Sequence, residues 1–276
     1  MTESRKRVLL TGATGYIAGQ LLPMLRERYD LRLVDVRETD RDGNPVEGVE
    51  VLDLLTADQS ALDSRFAGVD TVVHCGYIRP RADHVYEDER SNVDLMQRVY
   101  ETALTAGVRR VVACSTNQAA KWYEQPYYAG RRDRVTPEDY PRPYSFYGWA
   151  KAAYETLGFL YACGSLGRKL EVIQIRIVAP REIDAADFEG KPVEHYLRDI
   201  TGYVSERDLQ QLFRKSIDTI AIEDDYGVPF HIFYGVSNNA RTFWSITNAR
   251  EVIGYAPEDD SEIRFADDIA RMLGRA

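Results

Sequence analysis

The sequence predicts an α/β protein in which a doubly wound parallel sheet is covered by helices on both faces. Strand-like runs that are apolar throughout alternate with helix-like segments along most of the 276 residues. Continuous apolar strands indicate a sheet buried on both faces, and the alternation indicates parallel strands joined by crossover helices. A glycine-rich turn, "TGATGYIAG" at 11–19, separates the first strand from the first helix. Such a turn lets backbone N–H groups approach a phosphate.

The elements follow in short units. "RVLLTG" (7–12) is the first predicted strand, because three apolar residues precede the glycines. A helix is predicted at 15–28, and "LRLVDV" (31–36) and "VEVLDL" (49–54) are the second and third strands. The later predictions are helices at 57–68, 86–106, 145–163 and 205–220, and strands at 69–76, 109–116, 170–178 and 230–237.

Two stretches, 121–143 and 180–203, break this alternation, since they mix Pro and aromatic residues with charged ones. Both follow the ends of predicted strands, where open α/β sheets bind their ligands. After the last strand we expect a short tail with little helix.

Composition and charge exclude several classes of function. Lysines and arginines number 35 against 44 aspartates and glutamates, so an acidic net charge of −9 argues against nucleic-acid binding. Three cysteines without a CxxC pair indicate free thiols in the cytoplasm. The N-terminus does not resemble a signal peptide, and no apolar run is long enough for a membrane span. The four histidines lack metal-ligand spacing, so we predict no metal site.

The glycine-rich turn has the context that dinucleotide binding requires. Gly12 and Gly15 follow a strand and open a helix, and Ala18 is small enough for close packing of that helix. Asp35 ends the second strand about twenty residues later, where an acid binds the ribose hydroxyls. A carboxylate there repels a 2′-phosphate, which favours NAD, whereas the nearby Arg37 keeps NADP open as an alternative.

The stretch "YSFYGWAKAAYE" (144–155) places Tyr147 and Lys151 one turn apart on a helix. An ammonium group beside a phenol favours the phenolate, so we expect a lowered Tyr147 pKa and a role as acid and base. The fifth strand ends in Ser115, Thr116 and Asn117, whose side chains can hydrogen-bond a reacting substrate oxygen.

These features together resemble an extended short-chain dehydrogenase/reductase of the NAD-dependent epimerase/dehydratase family, with a Rossmann-like fold. The resemblance rests on TGATGYIAG, Asp35, Asp53, the "VVH" strand, Asn92, "CST" and "YGWAK". It implies a catalytic triad of Thr116, Tyr147 and Lys151. It also implies NAD contacts at Gly12, Thr14, Gly15, Tyr16, Ile17, Asp35, Val36, Asp53, Leu54, Cys75, Gly76, Tyr77, Asn92, Tyr147, Lys151 and Ile177. An NAD-binding domain at 1–180 and a small, interleaved substrate-binding region at 181–276 follow from it.

Within the family, the later segments are similar to uronate dehydrogenases, notably "YVSERDLQQLF" (203–213) and "GYAPEDD" (254–260). That likeness implies substrate contacts at Arg79, Ser115, Thr116, Asn117, Gln118, Tyr147 and Arg198, with Arg198 on a sugar carboxylate. Gln118 stands where uronate dehydrogenases have histidine. Arg79 and Arg81 are further departures, which suggest an altered acid sugar with a stronger or larger anion.

The resemblance implies oxidation of C1 of a free, anionic pyranose to an aldonolactone, in a homodimer or higher oligomer built on the helices at 86–106 and 145–163. A dehydratase is disfavoured, because Asn117 and Gln118 replace the Asp-Glu pair used for elimination. Two alternatives stay open: a nucleotide-sugar 4-epimerase, disfavoured by a C-terminal region of about 95 residues, and a non-catalytic NAD-binding regulator.

Overall fold

The protein is described by a computed structural model over residues 5–274. In this range seven parallel strands form one sheet, in the order β3-β2-β1-β4-β5-β6-β7. The strands are β1 Arg7–Thr11, β2 Asp30–Asp35, β3 Val49–Val51, β4 Thr71–His74, β5 Arg110–Thr116, β6 Glu171–Ile177 and β7 Phe230–Gly235. The order reverses between β1 and β4, which is where such sheets open a ligand crevice. The predicted fold class is confirmed.

Helices cover both faces of the sheet. They are α1 Tyr16–Arg28, α2 Gln59–Phe66, α3 Val85–Thr105, α4 Glu124–Tyr128, α5 Phe146–Ala162, α6 Val193–Gly202, α7 Glu206–Asp218, α8 Thr247–Ile253, α9 Ser261–Arg264 and α10 Ala266–Leu273. A 3₁₀ helix, Asn117–Tyr123, joins β5 to α4. None of the helices within residues 5–274 has the length and apolarity needed to cross a bilayer.

The alternation of side chains along each strand divides the core into two layers. In β1, Leu9 packs with α2, α3 and α5, whereas Val8 and Leu10 pack on the opposite face with α1 and α7. Both faces of the sheet are therefore buried, as the continuous apolar strands predict. The catalytic candidate Thr116 ends β5 at the carboxyl edge of the sheet.

The expected tail with little helix is wrong, because α8, α9 and α10 lie there. The stretch 180–203 also holds a helix, α6, which packs with α10 in a third apolar cluster built from residues 183–272. Phe265, Ile269 and Met272 recur at helical spacing between charged residues, a signal in the sequence that predicts α10. The division at residue 180 stays a prediction, since β7 from the later part completes the main sheet.

Candidate active site

The site is built where β5 ends and α5 begins. Thr116 is the last residue of β5, and Ser145 caps α5 by accepting a hydrogen bond from the Gly148 N–H at 3.2 Å. A Cβ on Gly148 would lie 2.5 Å from the Gln118 carbonyl oxygen, so only glycine lets α5 approach the end of β5 this closely. This approach brings the Tyr147 hydroxyl close enough to Thr116 to be influenced by it.

Tyr147 lies in an apolar setting that opposes its ionisation. Its ring packs edge-to-face on Tyr77 with the centroids 5.3 Å apart. Burial raises the pKa of its hydroxyl to about 12, which the nearby Thr116 only partly offsets. The expected lowering of the Tyr147 pKa is therefore wrong for the protein without its ligands, because desolvation outweighs every other influence.

Lys151 lies one turn further along α5 and is almost completely buried. Its Nζ donates to the Cys114 carbonyl oxygen at 2.9 Å and lies 6.0 Å from the centre of the Tyr147 ring. Burial lowers the pKa of this ammonium group to about 8. Lys151 is thus held beside the phenol by the backbone of β5, as the four-residue spacing predicts.

The glycine turn joins β1 to α1 against the loop that follows β4. Gly12 has φ +69°, and a Cβ there would lie 2.5 Å from the Gly76 nitrogen. Gly15 caps α1, whose first turn carries no acidic residue and receives no side-chain cap. The first N–H groups of α1 are consequently available to an anion, which fits the pyrophosphate of a dinucleotide.

We expect Gly12→Ala to destabilise the protein by about 2–4 kcal/mol, since the new Cβ meets backbone and its φ is positive. Gly19→Ala is the matched control, because a Cβ at Gly19 meets nothing within 4 Å and alanine favours helix. Urea denaturation measures both variants. Equal effects of the two substitutions would contradict this account of the turn.

Asp35 accepts hydrogen bonds from the same turn. Its carboxylate accepts hydrogen bonds from the Thr14 N–H at 2.9 Å, the Thr14 hydroxyl at 2.8 Å and the Val36 N–H at 2.6 Å. Arg37 donates to the Thr14 hydroxyl at 3.2 Å. A carboxylate has about four acceptor positions, so Asp35 retains capacity for a ribose hydroxyl.

Other predicted cofactor residues divide into two groups. Cys75, Gly76 and Tyr77 form the loop after β4, beside Tyr147 and Gly12. Asn92 shapes this loop from α3, because its amide binds both the N–H and the carbonyl of Ile78, at 2.7 and 2.9 Å. The Asn92 side chain is therefore a support for the loop.

The remaining predicted cofactor residues lie around the same edge. Tyr16 is partly exposed, and its hydroxyl donates to the Pro180 carbonyl at 2.9 Å. Asp53 is exposed and caps its own turn through the Leu55 N–H at 2.9 Å. The side chains of Ile17, Leu54 and Ile177 pack in or against the core, whereas that of Val36 is exposed.

A small cleft adjoins the end of β5. It is lined by Asn117, Gln118, Glu124, Val178, Ala179, Arg198, Asp199, Phe243 and Trp244. The structure therefore brings together three predicted substrate residues, Asn117, Gln118 and Arg198. The sequence does not predict Glu124 as a site residue, because nothing in the stretch 121–143 distinguishes it. Only the fold shows that it forms a salt bridge with Arg198. The aromatic residues at 243–244 were likewise missed.

Ser115, a further predicted substrate residue, does not line the cleft. Its hydroxyl donates to Glu155 at 2.8 Å on the opposite face of the sheet from Thr116, because neighbouring strand residues alternate. Arg79 is exposed on the loop after β4 and does not line the cleft. Arg81 forms a salt bridge with Asp88 at 2.8 Å and so stabilises that loop. Within residues 5–274, no group of three or more potential metal ligands is found.

Comparison with known proteins gives a consistent result. Residues 8–176 match the NAD dependent epimerase/dehydratase family. The chain is 33% identical over 265 residues to the NAD-dependent glucose-6-phosphate dehydrogenase of Haloferax volcanii, covering 92% of this chain and 94% of that protein. It is 32% identical over 267 residues to the uronate dehydrogenase of Pseudomonas putida, covering 95% and 87% of the two chains.

A solved structure shares the fold. A mutant uronate dehydrogenase from Agrobacterium tumefaciens, complexed with NAD, superposes with a TM-score of 0.70 at 23% identity, covering 97% of this chain and 89% of the other. The family match covers more than half of the present chain, and it includes the glycine turn, Asp35, Thr116, Tyr147 and Lys151. The prediction from the motifs is confirmed: the chain belongs to the NAD-dependent epimerase/dehydratase family.

Proposed function

We propose that the protein is an NAD-dependent sugar dehydrogenase that oxidises C1 of a free pyranose, a hexuronate or related acid sugar, to the aldonolactone. One observation carries this proposal. Thr116 and the neighbouring Tyr147 adjoin a cleft whose polar lining includes Asn117, Gln118 and Arg198. The named relatives that match over almost the whole chain are dehydrogenases of free or phosphorylated sugars.

NAD fits the residues at the carboxyl edge of the sheet. The uncapped start of α1 suits its pyrophosphate, and Asp35 suits the adenosine ribose. The loop Cys75–Tyr77 and the buried Lys151 border the space beside Tyr147, where the nicotinamide end belongs. When bound, NAD supplies the hydride acceptor.

The residues of the chain carry out the proton transfer. Tyr147 takes the proton of the C1 hydroxyl, while the Thr116 hydroxyl holds the same oxygen in place. The Lys151 ammonium, fixed by the Cys114 carbonyl, stabilises the phenolate across the 6.0 Å that separates Nζ from the ring centre. Asn117 and Arg198 orient the sugar, so that positioning and proton transfer are both supplied by groups on rigid elements.

The substrate proposal is tested by NADH formation at 340 nm with NAD and a panel of sugars. The panel holds galacturonate, glucuronate, sulfoquinovose, galactose, glucose and glucose 6-phosphate, with UDP-sugars as controls. We expect activity on an acidic free sugar that falls when Arg198 is replaced by methionine. Interconversion of a UDP-sugar with silence on every free sugar would instead identify a nucleotide-sugar epimerase.

We further propose that the protein acts in the cytoplasm as a homodimer built on α3 and α5. The sulfurs of Cys75 and Cys114 lie 3.2 Å apart as free thiols, which suits a reducing compartment. Three exposed aromatic residues, Tyr86, Phe146 and Trp149, cluster on α3 and α5, and such a patch is typical of an interface. Sedimentation should give twice the 31.5 kDa chain mass, and a monomer would contradict this.

A further inference from the structure

The arginine of the sugar cleft already has an acidic partner. Glu124 opens α4, and its Oε2 lies 2.8 Å from Nε of Arg198 on α6. The Glu124 side chain is 12% exposed and that of Arg198 36%, so Glu124 is the more buried member of the pair. An incoming sugar therefore meets an ion pair at this position.

Several other charged groups act on the Glu124 carboxylate. Burial raises the pKa of Glu124, and Arg198 and Lys121, on the preceding 3₁₀ helix, only partly offset this while Asp199 adds to it. Asp199 is itself paired with Arg181 at 2.5 Å. Tyr128, on the same short helix as Glu124, faces it without carrying a charge of its own near neutral pH.

We propose that Glu124 tunes the charge preference of the sugar site, by weakening the attraction of Arg198 for an acid sugar relative to an uncharged one. This inference rests on the proposed function, because it assigns the charge selectivity of the same cleft. Glu124 acts as a specificity-determining residue for the sugar group that meets Arg198.

The physical reason is the chemistry of the two partners. A sugar carboxylate can only accept hydrogen bonds, so at Arg198 it would share the guanidinium with a second negative charge. A hydroxyl group can donate to Glu124 and accept from Arg198 at the same time, which satisfies both members of the pair. Selectivity is a difference between two affinities, and a repulsive group against one ligand contributes as much as an attraction to the other.

The experiment compares two sugars that differ only at C6, galacturonate and galactose, with glucuronate and glucose as a second matched pair. The selectivity is the ratio of kcat/KM for the acid to kcat/KM for its uncharged partner. Glu124→Gln keeps the shape and hydrogen bonding of the side chain and removes its charge. We expect this variant to raise the ratio about tenfold or more, since 1.4 kcal/mol of lost repulsion corresponds to tenfold.

Glu138→Gln is the matched control, because Glu138 is an exposed acid of the same stretch that does not line the cleft. It makes the same change in net charge and should leave the ratio unchanged. Glu124→Ala serves as the second variant, with the same expected direction. An unchanged ratio, or a ratio that falls because Glu124 orients Arg198 for the acid, would overturn the inference.

Dissociation constants of the same four sugars, measured by calorimetry in the presence of NAD, separate this inference from the proposed function. If none of the four sugars is oxidised, yet Glu124→Gln tightens the binding of galacturonate alone, the charge role stands and the proposed reaction fails. If galacturonate is oxidised and its affinity and kcat/KM are unmoved by Glu124→Gln, the reaction stands and the charge role fails.

Discussion

Replacing Tyr147 with phenylalanine is expected to lower kcat by roughly 10²- to 10⁴-fold, the contribution typical of a positioned acid–base group. The substitution removes one hydroxyl and keeps the ring that packs on Tyr77. The fold and the cofactor edge should therefore survive, and the loss should appear in kcat rather than in the affinity for NAD. Steady-state NADH formation and fluorescence titration with NAD measure the two quantities.

Tyr144→Phe provides the control for that variant. Tyr144 lies three residues earlier and is 54% exposed, and its loss should leave kcat within about twofold, as for most surface substitutions. Retained turnover in Tyr147→Phe would contradict the assignment of the acid–base group. A kcat that falls equally in both variants would indicate a general disturbance of the segment before α5.

The second prediction with a large effect concerns the buried ion pair of Arg176 and Glu155. Arg176 on β6 is completely buried and binds Glu155 of α5 through two hydrogen bonds, at 2.8 and 2.7 Å. Its remaining nitrogen donates to the Tyr234 hydroxyl at 2.8 Å, and Ser115 donates to Glu155 at 2.8 Å. This cluster joins three strands to the helix that carries Tyr147 and Lys151.

Arg176→Met is expected to reduce the free energy of unfolding by about 3–5 kcal/mol, because it leaves the Glu155 charge buried without a partner. The double variant Arg176→Met, Glu155→Leu removes both charges and should recover most of that loss, since apolar groups of similar size fill the space. Urea denaturation measures both. A single variant within about 1 kcal/mol of the wild type, or a double variant no more stable than the single, would contradict this interpretation.

The parts of the site that the sequence predicts well are local. The four-residue spacing places Tyr147 and Lys151 on one face of α5, and the strand–glycine–helix order places the turn at 11–19 against α1. Ser115 does not line the cleft, for a reason visible in the sequence. Alternation along β5 must send Ser115 and Thr116 to opposite faces, and Glu155 lies on the face that Ser115 meets.

Other features depend on long-range packing and leave no local signal. Glu124 meets Arg198 only because α4 and α6, far apart in the chain, both border the cleft. The raised pKa of Tyr147 likewise follows from burial, which the spacing of Tyr147 and Lys151 does not reveal. Gly12 is required by the backbone at Gly76, a contact between two strand ends that sequence periodicity cannot give.

The central claim is that a hydride leaves C1 of a free sugar while Tyr147 removes the hydroxyl proton. The most direct measurement uses the active sugar of the panel deuterated at C1, with mass spectrometry of the reduced cofactor and of the sugar product. We expect deuterium in the reduced cofactor, an aldonolactone or its hydrolysed acid without deuterium, and deuterium transfer slowed roughly 10²- to 10⁴-fold in Tyr147→Phe. A product that keeps its deuterium at C1, or an epimer in place of an acid, would contradict it.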